Sequence, residues 1–183
     1  MARPRRDPDL IDALEAMAPV AFRGTVWRVV RDGRDPLRCS ASGGRWDDGR
    51  FDVLYTSQSP QGAVAELHFH LMRGQPVMPS QVRYRLFELE IVLERALHSA
   101  DLDALAAVGL RTDLFGRLSW ADKAAECPRS QDIAEVAHFL DCHGLIVPSA
   151  RFATHNVVVF CDRVPALRDA DCKDRGLVDW PQG

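Results

Sequence analysis

The stretch VLYTSQSPQGAVAELHFHL, residues 53–71, decides the fold, because it joins a strand to a helix with almost no linker between them. Residues 51–56 are apolar, aromatic and partly β-branched, which predicts a strand. Ser59 followed by Pro60 is typical of a helix start, with Ser59 as the N-cap and Pro60 in the first helical position. The helix is expected to run to about Arg73. The segment therefore predicts a fold that contains both strands and helices.

Strands and helices follow one another on both sides of this segment without a regular repeat. Further strands are predicted at residues 25–30, 81–93 (as one long strand or a bent pair), 145–147 and 156–161. Further helices are predicted at residues 9–17, 101–108 and 130–142, the last two with Asp101 and Ser130 as caps. Residues 31–50 are rich in Gly, Asp, Pro and Ser and predict a loop. This order favours the α+β class, with one mixed sheet and helices packed on it.

The size and composition favour a single globular domain. The chain has 183 residues, of which 46% are hydrophobic and 27% charged. Its net charge of −3 argues against a basic protein that coats nucleic acid, and against one held to anionic lipid by charge. We find no apolar window of membrane-helix length and no secretory signal. The five cysteines are odd in number and widely spaced, which favours free thiols in a reducing cytoplasm over a disulfide framework.

Several common functional motifs are absent from the sequence. There is no P-loop, no Rossmann glycine motif, no GxSxG, no HExxH and no C2H2 spacing. His68 and His70 are two residues apart, which on a helix places them on opposite faces. His138, Cys142 and His143 lie closer to one helical face, but no fourth ligand can be identified. We therefore predict no metal site.

Four short features have the character of a site with strict geometry. Glu66 is one of seven glutamates and lies among small apolar residues early in a helix, where partial desolvation requires a partner or a function. Attraction to the helix dipole explains this carboxylate equally well. Residues 43–46 (GGRW), Tyr55 at a strand end and residues 148–150 (PSA) after another strand are the other three. Taken singly, a tight turn, a core aromatic and a cap explain them.

In this order, the features resemble the RES family, which is named for its Arg, Glu and Ser and contains the toxins of bacterial toxin–antitoxin pairs. The matching segments are residues 27–29 (WRV), 43–47 (GGRWD), 53–71, 144–150 (GLIVPSA) and 155–160 (HNVVVF). The resemblance spans about residues 24–163 of a single domain. It gives no functional support to the N-terminal helix within residues 1–23 or to the C-terminal extension at 164–183. Families of this type often have Asn where this chain has Asp47, so we assign no ligand contact to Asp47.

The resemblance implies a fold similar to that of the ADP-ribosyltransferase toxins, with NAD bound in a cleft as the substrate. Members of the family break the nicotinamide–ribose bond of NAD. Some pass ADP-ribose to phosphate or water, and others attach it to a protein. The residues that the resemblance carries over are Arg28, Arg45, Tyr55, Glu66, Ser149 and, more weakly, Asn156.

The chemistry of bond cleavage suits these residue types. Loss of neutral nicotinamide leaves positive charge on the ribose, and a fixed carboxylate such as Glu66 stabilises that charge. Arg28 and Arg45 suit the pyrophosphate, whose oxygens accept paired guanidinium hydrogen bonds. Tyr55 suits stacking on nicotinamide or on the ribose edge. Ser149 suits either of two roles, orienting Glu66 or binding the ribose next to the nicotinamide.

The distribution of arginine is consistent with a cationic cleft. The chain has 21 Arg but only two Lys, and coding bias is sufficient to explain most of this excess. Between residues 23 and 50, however, seven Arg stand against four Asp, a local charge of +3 in an acidic chain. That distribution is expected where a cleft binds a dianionic pyrophosphate.

Three functional hypotheses remain open at this point. The first is a cytoplasmic NAD-consuming toxin whose partner is an antitoxin of the Xre helix-turn-helix type, and within it we favour NAD degradation over ADP-ribosylation of a protein. The second is a nucleotide-binding module without catalysis, and the third is a structural or interaction domain. None of them requires direct contact with nucleic acid or a membrane.

Overall fold

The fold combines a mixed β-sheet with helices packed on it. The computed structural model describes residues 6–73, 82–116 and 123–180. The strands are β1 (Val20–Arg31), β2 (Val53–Ser57), β3 (Tyr84–His98), β4 (Gly144–Pro148), β5 (His155–Phe160) and β6 (Cys172–Leu177). The helices are α1 (Pro8–Glu15), α2 (Pro60–Arg73), α3 (Leu102–Ala107) and α4 (Lys123–Phe139), with short 3-10 turns at Thr112–Leu114, Cys161–Arg163 and Pro165–Asp169. The prediction of an α+β fold is confirmed.

The sheet closes on itself. Its order is β1-β2-β5-β4-β3-β6, and β1 also pairs with β3, so that five strands form a ring and β6 lies outside it on β3. β3 and β4 are parallel, whereas the other pairs are antiparallel. The β1–β3 ladder runs from Val20↔Ala96 to Arg31↔Tyr84, but β1 meets β2 at the single pair Trp27↔Ser57. The ring therefore opens between β1 and β2 on either side of this pair.

β5 explains why the sequence between residues 156 and 160 is almost wholly apolar. Val157 and Val159 face the interior of the closed sheet, together with Leu89 and Ile91 of β3. The alternate residues, such as Val158, belong to a second core between the sheet and helices α1 and α4. Because both faces of the strand are covered, both sets of side chains are apolar.

The start of α2 agrees with the sequence prediction. The Ser59 hydroxyl accepts a hydrogen bond from the Gly62 amide at 2.9 Å, as an N-cap does. Gly62 has no room for a side chain, since an added Cβ would lie 2.6 Å from Thr154 Cγ2 and closer still to the Ser57 hydroxyl. The helix is thus seated directly against the loop before β5.

The predicted start of α4 at Ser130 is wrong. The helix begins at Lys123 and passes through Pro128, so Ser130 lies inside it and is buried. Pro128 lies beyond the first turn, where a proline removes a backbone hydrogen bond and its ring crowds the preceding turn. Burial of Ile133 and Ala137 against the core offsets that cost and stabilises the helix. Serine before an apolar run is a cap signal, but here the serine is a core residue.

β3 is longer than predicted, and β6 is missed altogether. β3 is a single strand that continues to His98, while the predicted start at Gln81 lies outside the described residues. β6 has the mostly polar sequence CKDRGL and pairs with β3 at the outer edge of the sheet. Its exposed side chains give no apolar alternation from which a strand can be recognised.

The expectation of free thiols throughout the chain is also wrong. Cys39 and Cys161 form a disulfide, whereas Cys142 and Cys172 are free thiols and the Cys127 side chain lies outside the described part. The two bonded cysteines are separated by 122 residues, so no spacing rule relates them. They meet because each lies beside the start of β2. Ser40, next to Cys39, forms a β-bridge with Val53, and the Cys161 amide donates a hydrogen bond to the Asp52 carbonyl.

Candidate active site

A cavity of about 240 Å³ lies where β1 and β2 diverge, and α2 covers it. Four of the residues carried over by the resemblance line it, namely Arg28, Tyr55, Glu66 and Asn156. Sequence reasoning missed Trp27, Leu67 and His70, which complete much of the wall. These residues come from two strands, one helix and the start of a third strand, and no spacing rule connects them.

Glu66 is held by two hydrogen bonds to the same oxygen. The Ser149 hydroxyl donates to Oε1 at 2.6 Å, and the Asn156 side-chain amide donates to Oε1 at 2.8 Å. Within the described part of the chain, Oε2 accepts no hydrogen bond. The carboxylate is therefore fixed by one oxygen, and its second oxygen remains available to a ligand.

The pairing of β4 with β5 explains why Ser149 and Asn156 reach the same oxygen. Val147 is opposite Asn156 in this antiparallel pair, and Ser149 follows one residue beyond the end of β4. The Ser149 amide donates to the Thr154 carbonyl at 2.8 Å, which closes the loop between the strands. Its hydroxyl also accepts from the Arg151 amide at 3.1 Å. With an acceptor role toward the backbone, the hydroxyl directs its proton at Glu66.

Arg28 connects the cavity to the long loop that follows β1. Its Nη1 donates to the Pro36 carbonyl at 2.6 Å and to the Arg38 carbonyl at 3.0 Å. Burial lowers the pKa of Arg28 to about 10, and the nearby Asp35 carboxylate partly opposes that shift. The guanidinium therefore stays charged at neutral pH, and it anchors the loop as well as lining the cavity.

Tyr55 is fixed through its hydroxyl. The phenol donates to Asp47 Oδ2 at 2.9 Å and accepts from the Trp46 amide at 3.0 Å, while the ring lines the cavity. Gln131 of α4 holds the same loop from outside, since its Nε2 donates to the carbonyls of Gly44 and Asp47. No sequence motif predicted this role of Gln131.

Arg45 is not brought to the cavity wall in the described part of the structure. Its guanidinium lies over the Phe115 ring, 4.5 Å from the centroid. Phe115 precedes Gly116, which packs against Ala150 in the loop that carries Ser149. Arg45 thus borders the Ser149 loop, and Ser149 itself is connected to the cavity through its hydrogen bond to Glu66. The other four carried-over residues line the cavity directly.

A second, larger cavity of about 810 Å³ lies on another side of α2. Its lining is mostly apolar and includes Val64, Phe69, Met72, Phe152 and Leu177. None of the six carried-over residues lines it. We therefore assign the chemistry to the smaller cavity, where the polar groups converge.

The spacing of His68 and His70 predicts their positions correctly, whereas Cys142 and His143 lie beyond the end of α4 at Phe139 and do not share a helical face with His138. His68 lines the large cavity and His70 the small one, on different faces of α2. His138 stacks on Phe51 with ring centroids 4.5 Å apart and pairs with Asp162. Among residues 6–73, 82–116 and 123–180, no group of three His, Cys, Asp or Glu is arranged to hold a metal ion.

The helices that the structure describes include none with the length and apolarity needed to cross a membrane.

Residues 25–181 match the RES domain family, and because this match covers most of the sequence, the chain belongs to that family. The match extends past residue 163, where the resemblance in sequence motifs ended, and takes in β6. Among solved structures, the fold is similar to a chain of the M. tuberculosis MbcT–MbcA toxin–antitoxin complex. The two share a TM-score of 0.74 and 23% identity, over 94% of this chain and 92% of the other. No curated protein matches the chain.

Proposed function

We propose that this chain is a toxin that cleaves the nicotinamide–ribose bond of NAD and passes ADP-ribose to phosphate or water. The observation that carries the proposal is the pair of hydrogen bonds by which Ser149 and Asn156 hold Oε1 of Glu66. The other carboxylate oxygen, Oε2, is left for a ligand. Membership of the RES domain family and the likeness to a chain of a toxin–antitoxin complex support the same role.

The proposed reaction has an oxocarbenium-like transition state. The bond between ribose C1′ and the nicotinamide nitrogen breaks, and its electron pair leaves with nicotinamide. Glu66 Oε2 stabilises the positive charge left on the ribose or holds a ribose hydroxyl. An oxygen of phosphate or water then bonds to C1′ and loses its proton to solvent. Because Ser149 and Asn156 already fix the carboxylate, little reorganisation is needed as the charge develops.

The size of the cavity indicates which end of NAD enters it. A volume of about 240 Å³ lies below the roughly 300–1,000 Å³ typical of sites for whole drug-sized ligands. We infer that the nicotinamide ring and its ribose enter, with Tyr55 beside them, and that the rest of NAD lies outside. Arg28 supplies positive charge at the cavity, and we propose that it and Arg45 serve the pyrophosphate.

The proposal includes a partner and a cellular setting. We propose a cognate antitoxin of the Xre helix-turn-helix type that restrains the activity, in line with the toxin–antitoxin complex of similar fold. We place the activity in the cytoplasm, where NAD is available. ADP-ribosylation of a specific protein is the alternative use of the same site, and the acceptor assay below separates the two.

The test is to incubate the purified chain with NAD and to measure free nicotinamide, with and without phosphate. We expect release, and mass spectrometry of the ADP-ribose product then identifies the acceptor. Absence of release under both conditions and in a cell lysate would refute the enzymatic function. Release only with lysate protein, accompanied by a mass increase on a protein, would select the alternative.

Expression in cells gives a second test. The unmodified chain is expected to arrest growth, and Glu66→Ala or Arg45→Ala to relieve the arrest. Equal toxicity of both variants would show that this site does not carry the activity.

A further inference from the structure

The buried carboxylate of Asp47 has no role in the reaction proposed above, yet it lies at the centre of a dense set of hydrogen bonds. Its side chain is fully buried. Oδ1 accepts from the Gly43 amide at 2.7 Å and the Gly49 amide at 3.2 Å. Oδ2 accepts from the Gly44 amide at 2.7 Å and from the Tyr55 phenol at 2.9 Å. Burying a carboxylate is costly unless such donors compensate it, so this arrangement calls for an explanation.

We propose that Asp47 is a positioning residue that sets both Arg45 and Tyr55 for binding of the substrate. This inference rests on the proposed function and goes beyond it by assigning a role to a residue outside the cavity. Asp47 touches neither the cavity nor Glu66 among the described contacts, so it acts through the residues that it holds.

Arg45 is held through the backbone on both sides. The preceding Gly44 amide donates a hydrogen bond to the Asp47 carboxylate. The following Trp46 amide donates to the Tyr55 phenol, which in turn donates to Asp47. The main chain on both sides of Arg45 is thus held by the Asp47 carboxylate and the Tyr55 phenol, in addition to the Gln131 amide at the Gly44 carbonyl. The direction in which the guanidinium leaves the loop follows from that path.

The loop leaves no room for a side chain at Gly44. An added Cβ there would lie 2.5 Å from the Tyr55 oxygen and 2.8 Å from Asp47 Oδ2. Gly43 and Gly49, whose amides bond Asp47 Oδ1, have positive φ angles of 74° and 85°. Glycine adopts such angles without steric cost, and the three glycines therefore allow the backbone to fold around the carboxylate.

The donor set also explains why an aspartate suits this position better than the asparagine common in similar families. All four partners donate to Asp47, and both oxygens of a carboxylate act only as acceptors. An asparagine would present its NH₂ group either to the Gly44 amide or to the amides of Gly43 and Gly49. In each orientation a donor faces a backbone donor, and at least one hydrogen bond is lost.

The experiment compares Asp47→Asn with Asp48→Asn, which makes the same chemical change one residue along. Among the residues that the structure describes, Asp48 accepts hydrogen bonds only from the backbone amide and the guanidinium of Arg50, and it lies outside the proposed binding machinery. We expect Asp47→Asn to raise the KM for NAD about tenfold, the scale of losing a hydrogen bond to a charged group, with a smaller change in kcat. Asp48→Asn is expected to leave both constants unchanged.

Two further measurements separate positioning from a general loss of structure. A merely structural role lowers the folded, active fraction, so apparent kcat falls while KM stays the same, and this result would overturn the proposal. In spectra of glycine-labelled protein, the amide protons of Gly43, Gly44 and Gly49 are expected to move upfield in Asp47→Asn, because they lose a carboxylate acceptor. Unmoved glycine resonances would equally overturn it.

Tyr55→Phe keeps the ring and removes the phenol, which tests the same network if Asp47→Asn does not fold. We expect a raised KM in Tyr55→Phe, and an unchanged KM there would count against the proposal. When Asp47→Asn and Tyr55→Phe are combined, the KM should be no higher than in Asp47→Asn alone, because both substitutions act through one network. A combined increase in KM equal to the product of the two single increases would contradict that.

If the unmodified chain releases no nicotinamide, the proposed function fails and the role of Asp47 falls with it. Normal release with an unchanged KM in Asp47→Asn overturns only the role of Asp47.

Discussion

Replacing Glu66 by Gln isolates the charge of the proposed catalytic carboxylate from its structural contacts. Ser149 and Asn156 both donate to Oε1, and a glutamine side chain can keep a carbonyl oxygen at that place. Its amide nitrogen then takes the position of Oε2, which accepts no hydrogen bond from the described residues. The substitution therefore preserves the two hydrogen bonds and the shape of the site, but it removes the negative charge that we propose acts on the ribose.

The magnitude follows from this separation. Removing one preorganised electrostatic contact typically costs about 10²–10³ in kcat, or about 2.7–4 kcal/mol of transition-state stabilisation. Because the retained hydrogen bonds keep the side chain in place, we expect Glu66→Gln to lose at least that factor in kcat. Thermal stability should change little, since the hydrogen bonds from Ser149 and Asn156 are both retained.

The assay is nicotinamide release at saturating NAD, followed chromatographically, with thermal unfolding of the same samples. Glu90→Gln is the matched control, because Glu90 is an exposed glutamate on β3 that accepts a hydrogen bond from the Thr25 hydroxyl. The control is expected to retain the full kcat. A Glu66→Gln variant that keeps more than about one-tenth of the kcat would refute the electrostatic role of this carboxylate.

Three more perturbations have defined outcomes. Gly44→Ala is expected to raise the KM for NAD and to lower thermal stability, because its Cβ would lie 2.5 Å from the Tyr55 oxygen; unchanged kinetics would contradict the packing around that glycine. Cys39→Ser should lower the free energy of unfolding by about 2–5 kcal/mol in urea titrations without reductant, and a wild-type curve that dithiothreitol does not shift would argue against the disulfide. Burial lowers the pKa of Arg28 to about 10, and the guanidinium binds anions only while protonated. The KM for NAD should therefore be constant at neutral pH and rise as the pH passes about 10, whereas a KM that stays flat to higher pH would exclude Arg28 from binding the pyrophosphate.

Local sequence signals predicted the helices that begin at a capping residue and the strands that are buried on both faces. The start of α2 follows from Ser59 and Pro60, and Asp101 caps α3 as expected through the Ala104 amide. β5 was found because both of its faces are apolar. β6 was missed because its side chains are mostly exposed and its stability comes from pairing with β3, a long-range contact that leaves no local pattern.

The candidate site could be predicted only in part. The resemblance supplied the residue types, and of the two roles suggested for Ser149 the structure shows the contact with Glu66. Asn156 was the weakest transfer, yet it bonds the same oxygen. The contribution of Gln131 was not predictable, because it depends on how α4 packs against the loop at Gly44.

The disulfide between Cys39 and Cys161 also makes most of the chain a covalent ring. Five of the candidate site residues lie within this covalent ring, namely Arg45, Tyr55, Glu66, Ser149 and Asn156, whereas Arg28 lies in the segment that precedes it. While the bond is intact, a single proteolytic cut inside the ring opens it but releases no fragment. A protease that pulls its substrate from one terminus then has to draw two segments of the chain through its pore at once, so we expect reduction of these two sulfurs to make such degradation faster.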